Sequence, residues 1–225
     1  MAYRSRNRRN GTGTDILTAI LLILFIFSAS VVLILNLRWL YYIDIEVLGL
    51  AKETGMDRAV IRANYDALIQ YNQFWYKGGL ILPTLAMSET GRIHFVEVKR
   101  IFAAVQYLCM GSGVLSLAGM IWKRRKRQFG YLRLAGILAL VVPVVLGILA
   151  ALNWENFFVA FHHLFFKNNY WIFDPAKDPV ILILPDAFFL HCAIGILLCI
   201  LIGSILCFWR YRRNKRRTAV RRRRK

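Results

Sequence analysis

Four stretches of this chain are apolar on every side of a helix, and the sequence between them is not. They run roughly from Ile16 to Asn36, Ile101 to Trp122, Leu134 to Leu152 and Ala187 to Trp209, and are almost free of charge. About 20 helical residues cross the ~30 Å hydrocarbon of a bilayer, and each stretch is of that order. None alternates with a period of two, and unpaired backbone is too costly in lipid for anything but a helix or a closed barrel. The pattern therefore predicts an all-α integral membrane protein, a single domain over residues 1–225, with transmembrane helices at about 16–36, 101–122, 134–152 and 187–209. Ser28-Ala29-Ser30 in the first stretch resembles a cleavage site, but the apolar run continues to Leu35. That exceeds the ~7–15 residues of a secretory signal, so the segment is expected to stay as an anchor.

The two longer connections, 37–100 and 153–186, read as loops with interfacial helices. Ile61, Tyr65, Leu68 and Tyr71 or Asn72 recur at helical spacing behind Asp57, an expected N-cap, which predicts a surface helix. Leu80 to Met87 is apolar, contains Pro83 and is too short to span, so it should lie against the helices. Asn153 onward opens a platform, Phe157 to Pro175, that is too aromatic and polar for a plain span and too apolar for a solvated loop. Such mixed rings suit the bilayer interface. One helix is expected to carry Phe158, His162, Phe165 or Phe166 and Asn169 on one face, ending at Asp174-Pro175. Gly111, Ser112, Gly113, Ser116, Ala118 and Gly119 in the second span, and Gly136, Gly147 and Ala150 in the third, allow close helix approach.

Charge sets the orientation. The net charge is +19, gathered in three clusters: Arg4, Arg6, Arg8 and Arg9; Lys123, Arg124, Arg125, Lys126 and Arg127; and the tail from Arg210. Four crossings put all three on one side, and the positive-inside rule makes that side cytoplasmic. Both termini, the basic tails 1–15 and 210–225, are then cytoplasmic, and the loops 37–100 and 153–186 extracytoplasmic. Of the acidic residues only Asp15 falls on the basic side. Basic clusters confined to the membrane edge have anionic lipid as their partner rather than nucleic acid. Cys109, Cys192, Cys199 and Cys207 all fall within spans and read as packing residues, with neither metal spacing nor an outer disulfide pair.

Candidate chemistry lies on the outer side. His94 precedes the second span by two helical turns, and His162 lies in the platform. Imidazole has the side-chain pKa nearest neutrality, so the two are expected to work together in taking and returning a proton. Glu97, three residues on from His94, shares its helical face and could orient it. His191, one turn inside the fourth span, should find a partner there.

The order and spacing of several motifs carry a resemblance. They are Asn64-Tyr65 with Leu68 and Tyr71; Ser88-Glu89 with His94-Phe95-Val96-Glu97-Val98-Lys99; Phe161 to Trp171 through Asp174-Pro175; and Leu184-Pro185-Asp186 with Phe189. Together they resemble the bacterial lipoprotein intramolecular transacylase family, Lit, over nearly the whole chain apart from its tails. Glu97 stands where the family has Asp, and Asn168-Asn169 where it commonly has Asn-Asp, so Asn169 supplies no charge. The resemblance implies an acyltransferase of the cytoplasmic membrane of a Gram-positive bacterium, with its site on the outer face and diacylglyceryl lipoproteins as substrate. It would move one acyl chain from the glyceryl group to the α-amino group of the N-terminal cysteine, leaving a lyso-form lipoprotein, with no cofactor or metal. His94 and His162 match the family's catalytic pair.

An α-amino group with a pKa near 8 must lose a proton as it attacks an ester, and the oxygen that gains charge needs a donor. His162 is assigned as base and His94 as donor, with Glu97 orienting His94, and Asn64, Tyr65, Asn168 and Asn169 as candidates for holding the headgroup. Acylation of the enzyme itself would need a nucleophile, and Ser88 is the only outer serine or cysteine near a histidine. Two other readings are a zinc-dependent membrane hydrolase using His94, Glu97 and His162 as ligands, and a non-enzymatic tetraspanning scaffold.

Overall fold

The computed structural model describes the backbone of residues 2–223 and the side chains of residues 13–217. The side chains of Arg4, Arg6, Arg8 and Arg9, and those beyond Arg217, lie outside the described residues. Nine helices and no strand occur among the described residues: α1 (Ala2–Asn36), α2 (Arg38–Val47), α3 (Leu50–Thr54), α4 (Arg58–Tyr71), α5 (Glu89–Arg125), α6 (Gly130–Leu152), α7 (Trp154–Phe165), α8 (Val180–Ile183) and α9 (Asp186–Arg223). Four segments of them are long and apolar enough to cross a membrane, Gly13–Asn36, Glu89–Arg125, Gly130–Leu152 and Asp186–Arg217.

The chain forms two compact units. The first takes α1 up to Ser30, Leu108–Gly147 and α9 from Leu197. Its helices pack through small residues, because lipid tails offer no hydrophobic gain for association and close backbone contact must supply it. A Cβ on Gly113 would lie 3.0 Å from the Phe25 ring, one on Gly119 3.1 Å from Thr18, one on Gly136 3.1 Å from Phe208 and one on Gly203 2.7 Å from Ile26. Gly113 and Gly119 of α5 thus face α1, and Gly136 of α6 faces α9. Ser204 Oγ adds a hydrogen bond to the Gly136 carbonyl at 2.7 Å.

Lys123, read from the sequence as part of a lipid-facing basic cluster, is instead fully buried. Its Nζ meets Asp15 Oδ1 at 2.6 Å, Thr14 Oγ1 at 2.7 Å and Gln128 Oε1 at 3.2 Å. The one acidic residue on the basic side is therefore the partner of one of its lysines. After α5 the chain turns at Arg127 with φ 54°, and the Gln128 N–H returns to the Lys123 carbonyl at 3.0 Å.

The second unit takes Val31–Tyr107 and Ile148–Ile196. Its core gathers the apolar faces of the short helices, with Tyr41, Ile45, Leu50, Ile61, Tyr65, Leu68, Ile183 and Phe188 all buried. The expected period of α4 is observed, since Ile61, Tyr65, Leu68, Tyr71 and Asn72 all face inward. Asp57 occupies the N-cap position, its carbonyl accepting from the Ile61 N–H at 3.0 Å, but its side chain makes no capping bond. Gly49 and Gly55, at φ 63° and 68°, end α2 and α3 in the left-handed region where a side chain would be strained. The Leu80 to Met87 segment packs on this core through Leu82 and is pinned at Thr84 by Asn64.

Lys123→Ala would leave the Asp15 carboxylate without its cation beside Gly130, where there is no room for a Cβ. Stability should fall by about 3 kcal/mol, as expected for one broken half of a buried ion pair. A lower unfolding midpoint in detergent checks this, and Lys123→Met combined with Asp15→Leu should recover most of the loss.

Candidate active site

Helix α5 begins in a hydrogen-bonded clasp. Ser88 sits at its N-cap, with its hydroxyl oxygen accepting the Gly91 N–H at 3.0 Å. Asp178, buried and ninety residues away, accepts the Ser88 N–H through Oδ1 and the Ser88 hydroxyl through Oδ2, both at 2.7 Å. A carboxylate there also suits the positive end of the helix. Gly91 makes the approach possible, because a Cβ at that position would collide with the Asp178 carboxylate. Ser88 is thus occupied as a helix cap.

His94 follows on the next turn and is buried among Phe166, Phe173 and Phe95, with ring centroids at 4.7, 5.4 and 5.8 Å. Its Nδ1 is buried without a hydrogen-bond partner. Glu97 does not orient it. Glu97 Oε1 instead accepts from Asn168 Nδ2 at 2.9 Å, seventy-one residues on, and Oε2 is buried and unbonded.

Helix α7 is capped by Asn153, whose Oδ1 accepts the Asn156 N–H at 2.8 Å. None of its residues is fully buried, and Phe161, Leu164 and Phe165 are exposed. His162 Nδ1 lies 2.8 Å from the Phe158 carbonyl. A carbonyl only accepts, so Nδ1 carries the hydrogen and the Nε2 lone pair is left available. The ring stacks on Trp171 at 4.5 Å and touches Phe158 at 4.3 Å. Burial holds this imidazole below its ordinary pKa, opposed by the Phe158 carbonyl, with the neighbouring His163 lowering it further.

The two imidazoles come together with ring centroids 6.4 Å apart and planes inclined by 31°, and Phe166 contacts both. The remaining expected site residues divide. Asn168 joins the site through Glu97, and its Oδ1 accepts the Tyr170 N–H at 3.1 Å. Asn169 does not share a helical face with His162, because α7 stops at Phe165 and Phe166 is extended, at φ −119° and ψ 130°. The side chain of Asn168 competes for backbone and carboxylate partners there, and that turn chemistry ends the helix well before Asp174-Pro175.

Asn64 is fully buried and committed to the Val60 carbonyl and to Thr84. Tyr65 is stacked on Tyr41 at 3.7 Å, and burial pushes its phenol far above the ordinary value. It reaches His162 only through Phe188, Phe189 and Phe158. His191 finds its partner in the buried Asp44, with Nδ1 at 2.9 Å from Oδ1. His163 is exposed and meets Trp171 edge-on.

Among the described residues no group of three His, Cys, Asp or Glu is arranged to hold a metal, so His94, Glu97 and His162 do not assemble as a ligand set. Asp178 and Gly91 join Phe166 and Trp171 in carrying the site's geometry, and no residue-type pattern marks the first two. The nearest signal was the aromatic density of the platform, which contains Phe166 and Trp171.

Four apolar helices define a multi-pass membrane protein in which two imidazoles share one aromatic enclosure. The chain belongs to the family Lit, lipoprotein intramolecular transacylase, whose profile matches residues 16–189, and so to the transacylase class. It is similar to the membrane-integral lipoprotein intramolecular transacylase Lit of Bacillus cereus. That structure superposes with a TM-score of 0.92 at 39% identity, over 94% of this chain and 99% of that one. Two variants of the Bacillus cereus protein, with one histidine replaced by arginine or by alanine, superpose with TM-scores of 0.88 at 37% identity over 97% of this chain. No curated protein matches the chain.

Asp178→Ala would remove the acceptor for both Ser88 donors, at a cost of about 2 kcal/mol for buried groups left unpaired. Faster hydrogen exchange in the first turn of α5 and a lower unfolding midpoint are the expected readouts, and Gly91→Ala should reproduce both.

Proposed function

We propose that this protein moves one acyl chain from the diacylglyceryl group of a bacterial lipoprotein to the α-amino group of that lipoprotein's N-terminal cysteine, giving the lyso form. Family membership supports the substrate class. The observation that carries the chemistry is the pair of imidazoles 6.4 Å apart, one of them with Nδ1 tied to a carbonyl and Nε2 open. In this reading His162 Nε2 takes a proton from the amine as its nitrogen attacks the ester carbonyl. His94 donates to the oxygen that becomes negative, and the glyceryl C–O bond breaks with the proton passing from His162 to the leaving alkoxide. Amine and ester belong to one molecule, so the site has only to fold them together.

The same reading places the basic clusters and both termini on the cytoplasmic side of the bacterial cytoplasmic membrane, against anionic lipid, and the histidines on the outer face. The exposed rings of α7, with Ile172 beyond it, suit a helix resting at the lipid boundary.

Mass spectrometry of a lipoprotein's N-terminal peptide tests the proposal. Cells with the protein should yield the N-acyl, lyso-glyceryl terminus, and His94→Ala or His162→Ala should lower it by at least 100-fold, a typical contribution of a lost acid or base. The free-amine diacylglyceryl terminus in every strain would end the proposal. The pH profile gives a second check. His162 must be neutral to act as base, and burial lowers its pKa, so activity should persist below the ordinary imidazole value of about 6.5 and fall only on further acidification. Trp171→Ala admits water to the ring, and the acid limb should move upward.

A further inference from the structure

Glu97 departs from a rule that the chain otherwise keeps. Among the described residues the buried carboxylates are matched, Asp44 by His191 and Asp178 by Ser88, and Glu97 itself is half-buried. The partly buried Asp15 has Lys123, and Asp66 has Arg38 and Tyr42. Glu97 uses one oxygen for Asn168, while Oε2 is buried with no hydrogen bond, and no ion pair reaches the residue among the described residues. A bare buried carboxylate oxygen is unfavourable, and it persists where a ligand completes it.

That ligand must be a cationic hydrogen-bond donor small enough for a site walled by aromatic rings. Glu97 lies one turn beyond His94 on α5, and Asn168 follows Phe166, the ring in contact with both imidazoles. We propose that Glu97 Oε2 is the anchor for the α-ammonium of the substrate's N-terminal cysteine, with Asn168 positioning the carboxylate. This inference rests on the transacylase reading above.

The anchored ammonium donates one N–H to Glu97 and presents another to His162 Nε2. His162 removes that proton, the freed lone pair attacks the ester, and the proton ends on the glyceryl alkoxide as the C–O bond breaks. His162, neutral again, takes the second proton that the nitrogen must lose to become an amide and releases it to water, so Glu97 accepts hydrogen bonds without taking a proton. Binding the charged form recruits the species that predominates below pH 8. It also fixes the nitrogen's direction before the lone pair appears, whereas an amide in place of the carboxylate would offer no charge complement.

The test uses the full-length protein in lipid nanodiscs with two synthetic diacylglyceryl peptides. One carries the free α-amine and the other, its des-amino counterpart, carries hydrogen in that position. With His162→Ala present to prevent turnover, the free-amine peptide should bind at least tenfold more tightly, and the preference should shrink as pH rises past 8. Glu97→Gln should abolish the preference while leaving des-amino binding unchanged, which also reports that the variant is folded, and Asn168→Ala should reduce it in part. A preference that is absent at the outset, or that survives Glu97→Gln, overturns the inference. Failure of the otherwise unaltered protein to convert the free-amine peptide to its N-acyl form would instead overturn the transacylase reading.

Discussion

The hydrogen bonds between Asp178 and Ser88, and between Asn168 and Glu97, tie the loop after α7 to the first turns of α5. On α5 the two attachment points are nine residues apart, about 13 Å along a helix. Between its own ends the loop carries Trp171 and Phe173, with Phe166 just before it, and these rings wall both imidazoles. Two histidines sixty-eight positions apart in the chain thus share one enclosure because the segment between the ties cannot move away from α5. Neither tie alone would suffice. The Asp178 bond sets where the loop ends against the helix start, and the Asn168 bond sets how its aromatic residues face His94.

The membrane setting makes such ties strong. Where water is scarce, a hydrogen bond to a carboxylate has less competition, and a bare polar group is correspondingly expensive. The chain uses this repeatedly: Lys123 with Asp15, His191 with Asp44, and Gln106 Nε2 on the Asn72 carbonyl at 2.9 Å. Each joins segments distant in sequence, so each fixes a packing arrangement that apolar side chains alone would leave free to slide.

What could be read from the sequence follows from this division between local and long-range information. The four spans, the inward face of α4 at Ile61, Tyr65, Leu68 and Tyr71, and the helix running through His94 were legible, because each is a periodic property of one segment. The common face of His162 and Asn169 failed for a local reason that periodicity does not register, since Asn168 spends its side chain on a turn and on Glu97. The partners of Glu97, Asp178 and Lys123 were illegible in another way. Each bond spans seventy to a hundred or more residues, and a carboxylate's partner is chosen by tertiary packing. Even Gly113 and Gly119 of α5, recognisable as packing residues, did not reveal that α1 would be the helix they admit.

The aromatic character of the enclosure bears on the proposed chemistry through what it withholds. Passing an ester's acyl group to an amine competes with passing it to water, and hydrolysis would discard an acyl chain instead of moving it. Phe158, Phe166 and Phe173 offer the reacting groups no nucleophile, and Ser88, the serine near His94 in the chain, is held as a helix cap. Rings also leave developing charge poorly screened, so a donor at His94, as proposed, would act at low dielectric, where a fixed dipole is worth more than in water. The same low dielectric favours the neutral form of His162, which is the form a base must have. A polar pocket would have bound a headgroup more tightly but would have admitted water and weakened each of these effects. For transfer within a single molecule, where proximity is already provided, an apolar wall with a few placed polar atoms is the better arrangement.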